Sequence, residues 1–273
     1  MPEKIRLASI HIYPMKAARA VDLGESKVEP WGLDGDRRWM LAGQDGRFVS
    51  QREEPALARV SVRYAPNDPA VTISSHGRPS CRVAVPTGAE LMQVSVWGST
   101  FVAEKAGPEA DRWFCDYLGR PVRLVYLGDP ARRPADPDFS QPGDTVSFAD
   151  GFPLLLTSDG SLGELGRWLL AEGDEPVPMT RFRPNVVVTG APPWAEDGWR
   201  RIRIGTVPFR VAKPCGRCVV TTTDQVTGER GQQPLRMLAK RRRFGQELVF
   251  GQNLIPDAGG VIRVGDPVEI LDA

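Results

Sequence analysis

Short apolar runs alternate with polar turns along the first half of the chain. This pattern predicts β-strands at residues 5–12, 38–41, 48–50, 60–64, 70–73, 81–85, 93–97 and 122–127. The turn Gln44-Asp45-Gly46 joins two of these runs as a hairpin. One segment differs, because Trp113, Phe114, Tyr117 and Leu118 form an apolar face that predicts a helix over 108–118. Strands at this spacing are typical of a barrel or a sandwich.

A segment rich in proline and charge, residues 129–144, separates this half from the second and is a candidate domain boundary. Beyond it, the pattern predicts strands at 153–156, 186–189, 201–204, 209–211, 218–223, 248–250 and 261–264. A capping-box pattern at Ser161 and Glu164 predicts the start of a short helix, and Pro234 opens a second over 234–240.

Composition agrees with a β-rich globular protein. The chain holds 28 glycines and 25 prolines, which favour turns over long helices. Its net charge of +1 excludes bulk attraction to a polyanion. The segment from Met1 to Arg6 lacks a signal pattern, and no apolar run is long enough for a membrane helix, so we expect no membrane partner. Cys81 and Cys115 lie far apart in the sequence and suggest no disulfide framework, so the cytoplasm is the expected location.

Two of the four cysteines stand in one tetrapeptide, Cys215-Gly216-Arg217-Cys218. A thioredoxin-like dithiol begins a helix, whereas strand-forming residues follow this motif. A structural zinc site needs four ligands, and both histidines, His11 and His76, stand apart from other candidate ligands. The remaining meaning is one thiolate bound to a soft, redox-active metal cofactor. A zinc or dithiol site in a protein-binding module remains an alternative.

Other common chemistries receive little support. A serine or cysteine hydrolase would have to use one of the two histidines, and His11 lies inside an apolar run typical of a structural residue. No P-loop or G-x-G-x-x-G motif is present, so the sequence does not indicate ATP or a dinucleotide cofactor.

Several longer segments resemble one family. Residues 181–188 (RFRPNVVV), 195–199 (AEDGW), 215–224 and 250–253 (FGQN) resemble the MOSC domain, which is named after the C-terminal part of molybdenum cofactor sulfurase. Residues 12–16 (IYPMK), 32–39 (GLDGDRRW) and 48–52 (FVSQR) resemble the β-barrel domain that precedes MOSC in one branch of the family. That branch contains the mitochondrial amidoxime reducing component and its bacterial relatives.

This resemblance implies that Cys218 is the protein ligand to molybdenum, with the other sulfurs supplied by the pterin, and that Cys215 has no ligand role. The catalytic residues that we predict are Cys218 and Asp150, the latter as a proton relay. The residues predicted to bind the cofactor are Lys16, Arg37, Asp150, Gly151, Arg183, Asn185, Gly216, Arg217, Cys218 and Asn253. Lys16, Arg37 and Arg183 would hold the phosphate and the pterin, because phosphate recognition favours permanently charged donors.

The resemblance further implies a β-rich (α+β) fold with few short helices. An N-terminal β-barrel domain, residues 1–127, would pack on a C-terminal MOSC β-barrel domain, residues 128–273, with the cofactor in the cleft between them. The implied activity is molybdenum cofactor-dependent reduction of small N-hydroxylated or N-oxide compounds. The alternative is a non-catalytic carrier of the cofactor or of a persulfide on Cys218.

The electrons for this reaction would come from a separate protein, of a reductase, ferredoxin-like or cytochrome-like kind. The sequence contains no plant-type C-x4-C-x2-C iron–sulfur motif and no flavin fingerprint, so we expect neither group in the chain itself. The basic run Lys240-Arg241-Arg242-Arg243 lacks neighbouring stacking aromatics, and we expect no nucleic-acid partner. A solvated face is the simpler interpretation, and a docking patch for an acidic electron-transfer protein is the second.

Overall fold

A computed structural model describes residues 4–273, so Met1 to Glu3 of the segment inspected for a signal lie outside the described residues. The described chain is β-rich with short helices, which confirms the predicted fold class. The helices are α1 (Pro108–Leu118), α2 (Asp159–Ala171) and α3 (Leu235–Arg241). The strands are β1 (Arg6–Ile12), β2 (Val21–Leu23), β3 (Glu25–Glu29), β4 (Gly32–Leu33), β5 (Trp39–Ala42), β6 (Ser61–Arg63), β7 (Ala70–Ser74), β8 (Cys81–Ala84), β9 (Leu91–Val96), β10 (Ser99–Lys105), β11 (Arg123–Tyr126), β12 (Leu154–Ser158), β13 (Val186–Thr189), β14 (Arg201–Ile204), β15 (Val207–Gly216), β16 (Arg243–Phe244), β17 (Glu247–Pro256), β18 (Gly260–Arg263) and β19 (Val268–Asp272).

One large mixed sheet forms the frame of the C-terminal half. Its strands lie in the order β19-β14-β15-β17-β12-β13-β1-β2, and β16 pairs with β17. Within this order only β12 and β13 pair in parallel. Leu7, Ile10, Leu156, Val188 and Phe209 are among the side chains of its buried core.

The N-terminal strands are part of this frame rather than of a separate body. β1 pairs with β13 in the main sheet, and β3 pairs with β18 in a separate three-stranded sheet with β4. Residues 39–126 form the smaller sheets β5-β11-β10-β9 and β6-β7-β8, which enclose a second core with α1, to which Met15, Ala17 and Ala18 also contribute. The division at residue 127 stays a prediction, but the first strands cross it by pairing with the second half.

The helices follow the expected patterns with one difference. α1 has the predicted bounds and ends at Gly119, which adopts a left-handed conformation with φ of 67°. α2 begins at Asp159, two residues before the predicted cap, so Ser161 lies inside the helix, and its hydroxyl donates to buried Glu196 at 2.6 Å. Among residues 4–273, no helix is both long and apolar enough to cross a membrane.

The strand predicted at 218–223 is wrong. Residues Val219–Thr222 form a single 3₁₀ turn that begins after Cys218. Two hydroxyl groups favour the turn, because Thr221 and Thr222 donate to the carbonyl oxygens of Cys218 and Val219 at 2.9 and 2.8 Å. Hydroxyl groups of this kind offer the backbone an alternative to a sheet ladder. The strand predicted at 48–50 is also wrong, because in this stretch only Phe48 pairs, as an isolated bridge with Ala42. The strands β2, β3, β4, β10, β16 and β19 were not expected from the pattern.

A buried arginine shapes the segment that was a candidate linker. The Arg133 side chain is 2% exposed, and its guanidinium group donates to the carbonyl oxygens of Ser147, Ala149 and Asp150, the last at 2.7 Å. Burial lowers its pKa to about 10, so it remains charged at neutral pH. Arg133 therefore fixes the backbone that leads into β12.

We expect Arg133→Met to lower the free energy of unfolding by about 3 kcal/mol, because buried carbonyl groups would lose their donors. The measurement is urea unfolding followed by tryptophan fluorescence. Arg132→Met is the matched control, because the Arg132 side chain is 38% exposed and forms ion pairs only at 3.9 and 3.6 Å. That control should change the free energy by less than about 0.5 kcal/mol. Equal effects of the two substitutions would contradict the role assigned to Arg133.

Candidate functional site

The residues predicted to bind a cofactor all line one cleft. The cleft lies over the main sheet and is closed on its other side by loops from the first 52 residues. It contains about 890 Å³ of empty space, part of it open to solvent. The predicted residues that line it are Lys16, Arg37, Asp150, Gly151, Arg183, Asn185, Gly216, Arg217, Cys218 and Asn253.

The main sheet brings together segments that are distant in sequence. Asn253 of β17 pairs with Leu155 of β12 on one side and with Lys213 of β15 on the other. The backbone N–H of Asn185 donates to the Leu155 carbonyl at 2.8 Å. The pairing of neighbouring strands therefore places three of the segments that line the cleft side by side in the sheet.

The ring of Tyr13 lies between two arginine side chains. The guanidinium carbon of Arg37 is 4.4 Å from the ring centroid, and that of Arg183 is 4.2 Å from it. Tyr13 is buried, and its hydroxyl donates to the Pro184 carbonyl at 3.2 Å. Burial raises its pKa to about 12, so the ring stays neutral. Each arginine gains a cation–π contact from this arrangement.

Both arginines adopt a backbone conformation that is unusual for a residue with a side chain. The φ angles are 47° at Arg37 and 56° at Arg183. Such angles are costly outside glycine and persist where the surroundings fix them, often at functional sites. The fixed geometry aims two permanent charges at one cleft.

The two arginines are only partly neutralised. Arg37 donates to Asp36 at 2.6 Å and to the side-chain oxygen of Asn185 at 3.1 Å. Arg183 donates to the carbonyl of Ala18 at 2.7 Å and to Gln225 at 3.2 Å, so its hydrogen-bond partners are neutral. Burial, reinforced by the charge of Arg37, lowers the pKa of Arg183 to about 10. An anion in the cleft would relieve this excess of positive charge.

Lys16 and Asp150 form an ion pair at the cleft wall. The Lys16 ammonium group donates to the Asp150 carboxylate at 2.5 Å and to the Phe148 carbonyl at 2.8 Å. Burial lowers the pKa of Lys16 to about 8, although Asp150 opposes the shift. The surrounding protein atoms disfavour the charge on Asp150, whose side chain is open to the cleft, but the charge and hydrogen bond of Lys16 outweigh this and hold its pKa well below the usual range.

This ion pair bears on the proton-relay role predicted for Asp150. The carboxylate is 61% exposed and ionised at neutral pH, so it accepts hydrogen bonds and has no proton of its own to give. A relay through Asp150 would have to draw its proton from Lys16 or from solvent. The catalytic role of Asp150 stays a prediction.

The two cysteines of the C-x-x-C motif have different surroundings. A guanidinium nitrogen of Arg217 donates to the sulfur of Cys215 at 2.9 Å, and the other donates to the Phe182 carbonyl at 2.6 Å. Within residues 4–273, no hydrogen bond reaches the sulfur of Cys218, which also lines the cleft. Of the two thiols, that of Cys218 is therefore the one without a protein hydrogen-bond partner, while Cys215 is held by Arg217.

Both predicted asparagine side chains form hydrogen bonds within the protein. The Asn185 amide accepts from the backbone of Leu155 at 3.1 Å and donates to the His11 carbonyl at 3.1 Å, which joins β1 to β12. Asn253 donates weakly to the Pro214 carbonyl at 3.5 Å. Asn185 thus fixes the cleft floor, and Asn253 keeps more freedom to contact a ligand.

Other residues at or beside the cleft were missed or not assigned. Tyr13 and the segment 48–52 lie within the motifs that resemble the family, and this was the available signal for them. Gln225 and Arg133 had no such signal, because their partners are far away in sequence. No group of three or more His, Cys, Asp or Glu side chains is arranged to hold a metal among the described residues.

Most side chains of the basic run at 240–243 already contact acidic or aromatic residues of the protein. Lys240 pairs with Glu172, and Arg242 pairs with Asp197 at 2.6 Å and lies 4.1 Å from the ring of Trp194. Arg241 lies over the ring of Trp168 at 5.7 Å. These contacts reduce the free positive charge, which agrees with a solvated face better than with a docking patch.

Comparison with known proteins confirms the family resemblance. The family described as the MOSC N-terminal beta barrel domain matches residues 4–121, and the MOSC domain matches residues 143–269. Human mitochondrial amidoxime-reducing component 1 is 30% identical over 97% of this chain and 82% of the relative. Human mitochondrial amidoxime reducing component 2 is 30% identical over 96% and 82%. The YUAD protein of Bacillus subtilis aligns over 97% of this chain and 94% of that chain, with a TM-score of 0.43 and 10% identity.

We expect the affinity of the cleft for sulfate to fall as pH rises from 7 to 9. The lowered pKa of Lys16, about 8, means that its positive charge is mostly present at pH 7 and mostly lost at pH 9. Sulfate keeps its charge over this range, so titration calorimetry should show a loss of roughly tenfold. Lys16→Arg should show almost no pH dependence, because arginine stays charged. The same pH dependence in both proteins would show that another group titrates.

We expect Tyr13→Leu to weaken sulfate binding at pH 7 by about tenfold, because the ring that positions both guanidinium groups would be gone. Tyr13→Phe keeps the ring and loses only the hydrogen bond to Pro184, so its affinity should stay within about twofold of the wild type. The measurement is the same calorimetric titration. Equal losses in both variants would indicate that the hydroxyl group, and not the ring, organises the arginines.

Proposed function

The chain belongs to the MOSC-domain family that includes the mitochondrial amidoxime-reducing components, and from this premise we propose that it is a molybdenum cofactor-dependent reductase of N-hydroxylated or N-oxide compounds. One observation carries the proposal: the thiol of Cys218, without a hydrogen-bond partner among the described residues, lines the same cleft as the partly neutralised cations Lys16, Arg37 and Arg183. A soft sulfur ligand beside an anion site suits a cofactor that is both a metal complex and a phosphate ester.

The side chains fit the two ends of such a cofactor. Cys218 would provide the protein's thiolate ligand to molybdenum. Arg183, with Arg37 and Lys16, would hold the phosphate, because the guanidinium groups are permanently charged and fixed against Tyr13. The backbone of Gly216 and the side chain of Asn253 lie in the same cleft and would contact the pterin. When bound, this cofactor supplies the two-electron chemistry that removes oxygen from an N–O bond with release of water.

The protein's own contribution is binding, orientation and proton supply. Arg133 and Asn185 fix the backbone of the cleft through carbonyl and amide hydrogen bonds. Lys16, with its lowered pKa, carries a proton that it can release near neutral pH, and the Asp150 carboxylate beside it stabilises the charged form. The Lys16–Asp150 pair is therefore the best candidate for a proton relay in this cleft.

The electrons would come from a separate protein with a redox group of its own. The sequence supports this with its lack of an iron–sulfur motif and a flavin fingerprint. We place the reaction in the cytoplasm because the cysteines are few and all four are free thiols. The relatives are named as mitochondrial proteins, and that location is the alternative.

The second candidate function is a carrier of the molybdenum cofactor or of a persulfide on Cys218. The thiol of Cys218, which accepts no hydrogen bond from the described residues, is compatible with both functions. A reductase must oxidise its reduced cofactor when an N-hydroxylated substrate is added, whereas a carrier need not. Benzamidoxime is a suitable probe, since the relatives are named for amidoxime reduction.

We expect wild-type protein from a cofactor-producing host to contain nearly stoichiometric molybdenum and pterin. Cys218→Ala should lose more than about nine tenths of the molybdenum, because the metal's only protein ligand would be missing. Cys215→Ala is the matched control and should retain most of it, since that thiol is held by Arg217. The metal is measured by mass spectrometry and the pterin by fluorescence after oxidation.

Chemically reduced wild-type protein should then convert benzamidoxime to benzamidine, and Cys218→Ala should not. Molybdenum without any conversion would favour the carrier. A wild-type protein without molybdenum, or with zinc in its place, would refute the proposed reductase.

A further inference from the structure

Two buried glutamine side chains join a cleft-lining residue, Gln51, to the segment that follows the Cys218 turn. The Gln51 amide nitrogen donates to the Gln225 oxygen at 3.1 Å, and the Gln225 amide nitrogen donates to the Gln51 oxygen at 3.0 Å. Gln51 is 1% exposed and Gln225 is 9% exposed. Gln51 also donates to the Ala17 carbonyl at 2.6 Å, next to Lys16. The pair is therefore a fully bonded bridge between residues 174 positions apart.

Gln225 lies in the loop that runs from Cys218 to α3, shortly after the 3₁₀ turn. Its amide nitrogen donates to the Thr223 carbonyl at 3.0 Å, which fixes the side chain against its own loop. The preceding Asp224 accepts from Arg181 at 3.0 Å, and Arg181 also donates to the Thr222 carbonyl at 2.7 Å. The position of the Gln225 amide is thus tied to the turn that follows the proposed metal ligand.

The same amide oxygen accepts a hydrogen bond from Arg183 at 3.2 Å. The only other acceptor on Arg183 in the described chain is the Ala18 carbonyl, at 2.7 Å from the same nitrogen. The guanidinium carbon of Arg183 also lies 4.2 Å from the centroid of the Tyr13 ring. Gln225 therefore connects the cysteine loop to the arginine whose hydrogen-bond partners in the described chain are all neutral.

We propose that Gln225 is a positioning residue that holds Arg183 at a fixed distance from the Cys218 loop, so that one ligand can engage both the anion site and the thiol. This proposal rests on the proposed function for the identity of that ligand. The positioning itself is a property of the chain and can be tested without any cofactor. A neutral amide suits this role, because it accepts from Arg183 without cancelling the charge that an anion needs.

We expect Gln225→Glu to weaken sulfate binding by about tenfold, more than Gln225→Met does, while its melting temperature falls no further than that of Gln225→Met, because both variants lose the donor to Gln51 and Thr223. A carboxylate at this position would pair with Arg183 and compete with the anion. Gln225→Met, which has similar volume and no acceptor, should weaken binding by about threefold and lower the melting temperature, since Gln51 would lose its partner. Calorimetric titration with sulfate and thermal unfolding of the same cofactor-free samples give both quantities.

Two controls separate positioning from general effects. Gln232→Glu makes the same change of charge at an exposed residue outside the cleft, and its sulfate affinity should match the wild type. Gln51→Met breaks the glutamine pair but leaves the oxygen of Gln225 for Arg183, so it should lower the melting temperature and weaken binding less than Gln225→Met does.

A sulfate affinity that follows the melting temperature in all variants would overturn the proposal, because Gln225 would then act only through stability. Unchanged affinity in Gln225→Glu would overturn it as well. The molybdenum and pterin content of Gln225→Glu from a cofactor-producing host should also fall relative to the wild type. If the wild type contains no molybdenum, the proposed reductase fails, while the sulfate results still decide the role of Gln225.

Discussion

The stacking of Arg37 and Arg183 on the two sides of Tyr13 is the interaction on which the cleft depends. Burial and, to a smaller extent, the like charge of Arg37 lower the pKa of Arg183, so the two guanidinium groups need compensating contacts. The ring offers each charge a favourable surface, and Asp36 and Asn185 supply acceptors to Arg37. Because Arg37 and Arg183 lie 146 positions apart, the ring also holds the N-terminal segment against the main sheet.

The remaining parts of the site follow from this arrangement. Two loops that carry positive charge must meet at the sheet, and the sheet brings the C-x-x-C motif to the same place through β15. Arg133, which does not line the cleft, uses buried hydrogen bonds to fix backbone, whereas Asn185 lines the cleft and also holds β1 against β12. Side chains that face the cleft are therefore held by buried hydrogen bonds, which is typical of sites that need a fixed geometry.

Much of the fold and of the site could be predicted from the sequence. The apolar alternation located most strands and the whole of α1, since these features are encoded by neighbouring residues. The 3₁₀ turn after Cys218 was missed because its β-branched residues favour strands locally, while their hydroxyl groups satisfy the backbone in a turn. Gln225 and Arg133 were missed for another reason: each acts through contacts that exist only after distant segments have met. Resemblance to a family located the cleft-facing residues, and only the structure revealed their supports.

The pairing of β1 with β13 has a consequence for the order in which the protein forms during synthesis. A ribosome makes Arg6–Ile12 early, but the strand's partner, Val186–Thr189, emerges much later. The middle of the chain, residues 39–126, supplies most of the second core and can collapse first, while the initial strand waits with open backbone groups. The cysteine loop comes later still. The cleft therefore closes only near the end of translation, and any ligand of the cleft can bind only to a nearly finished chain.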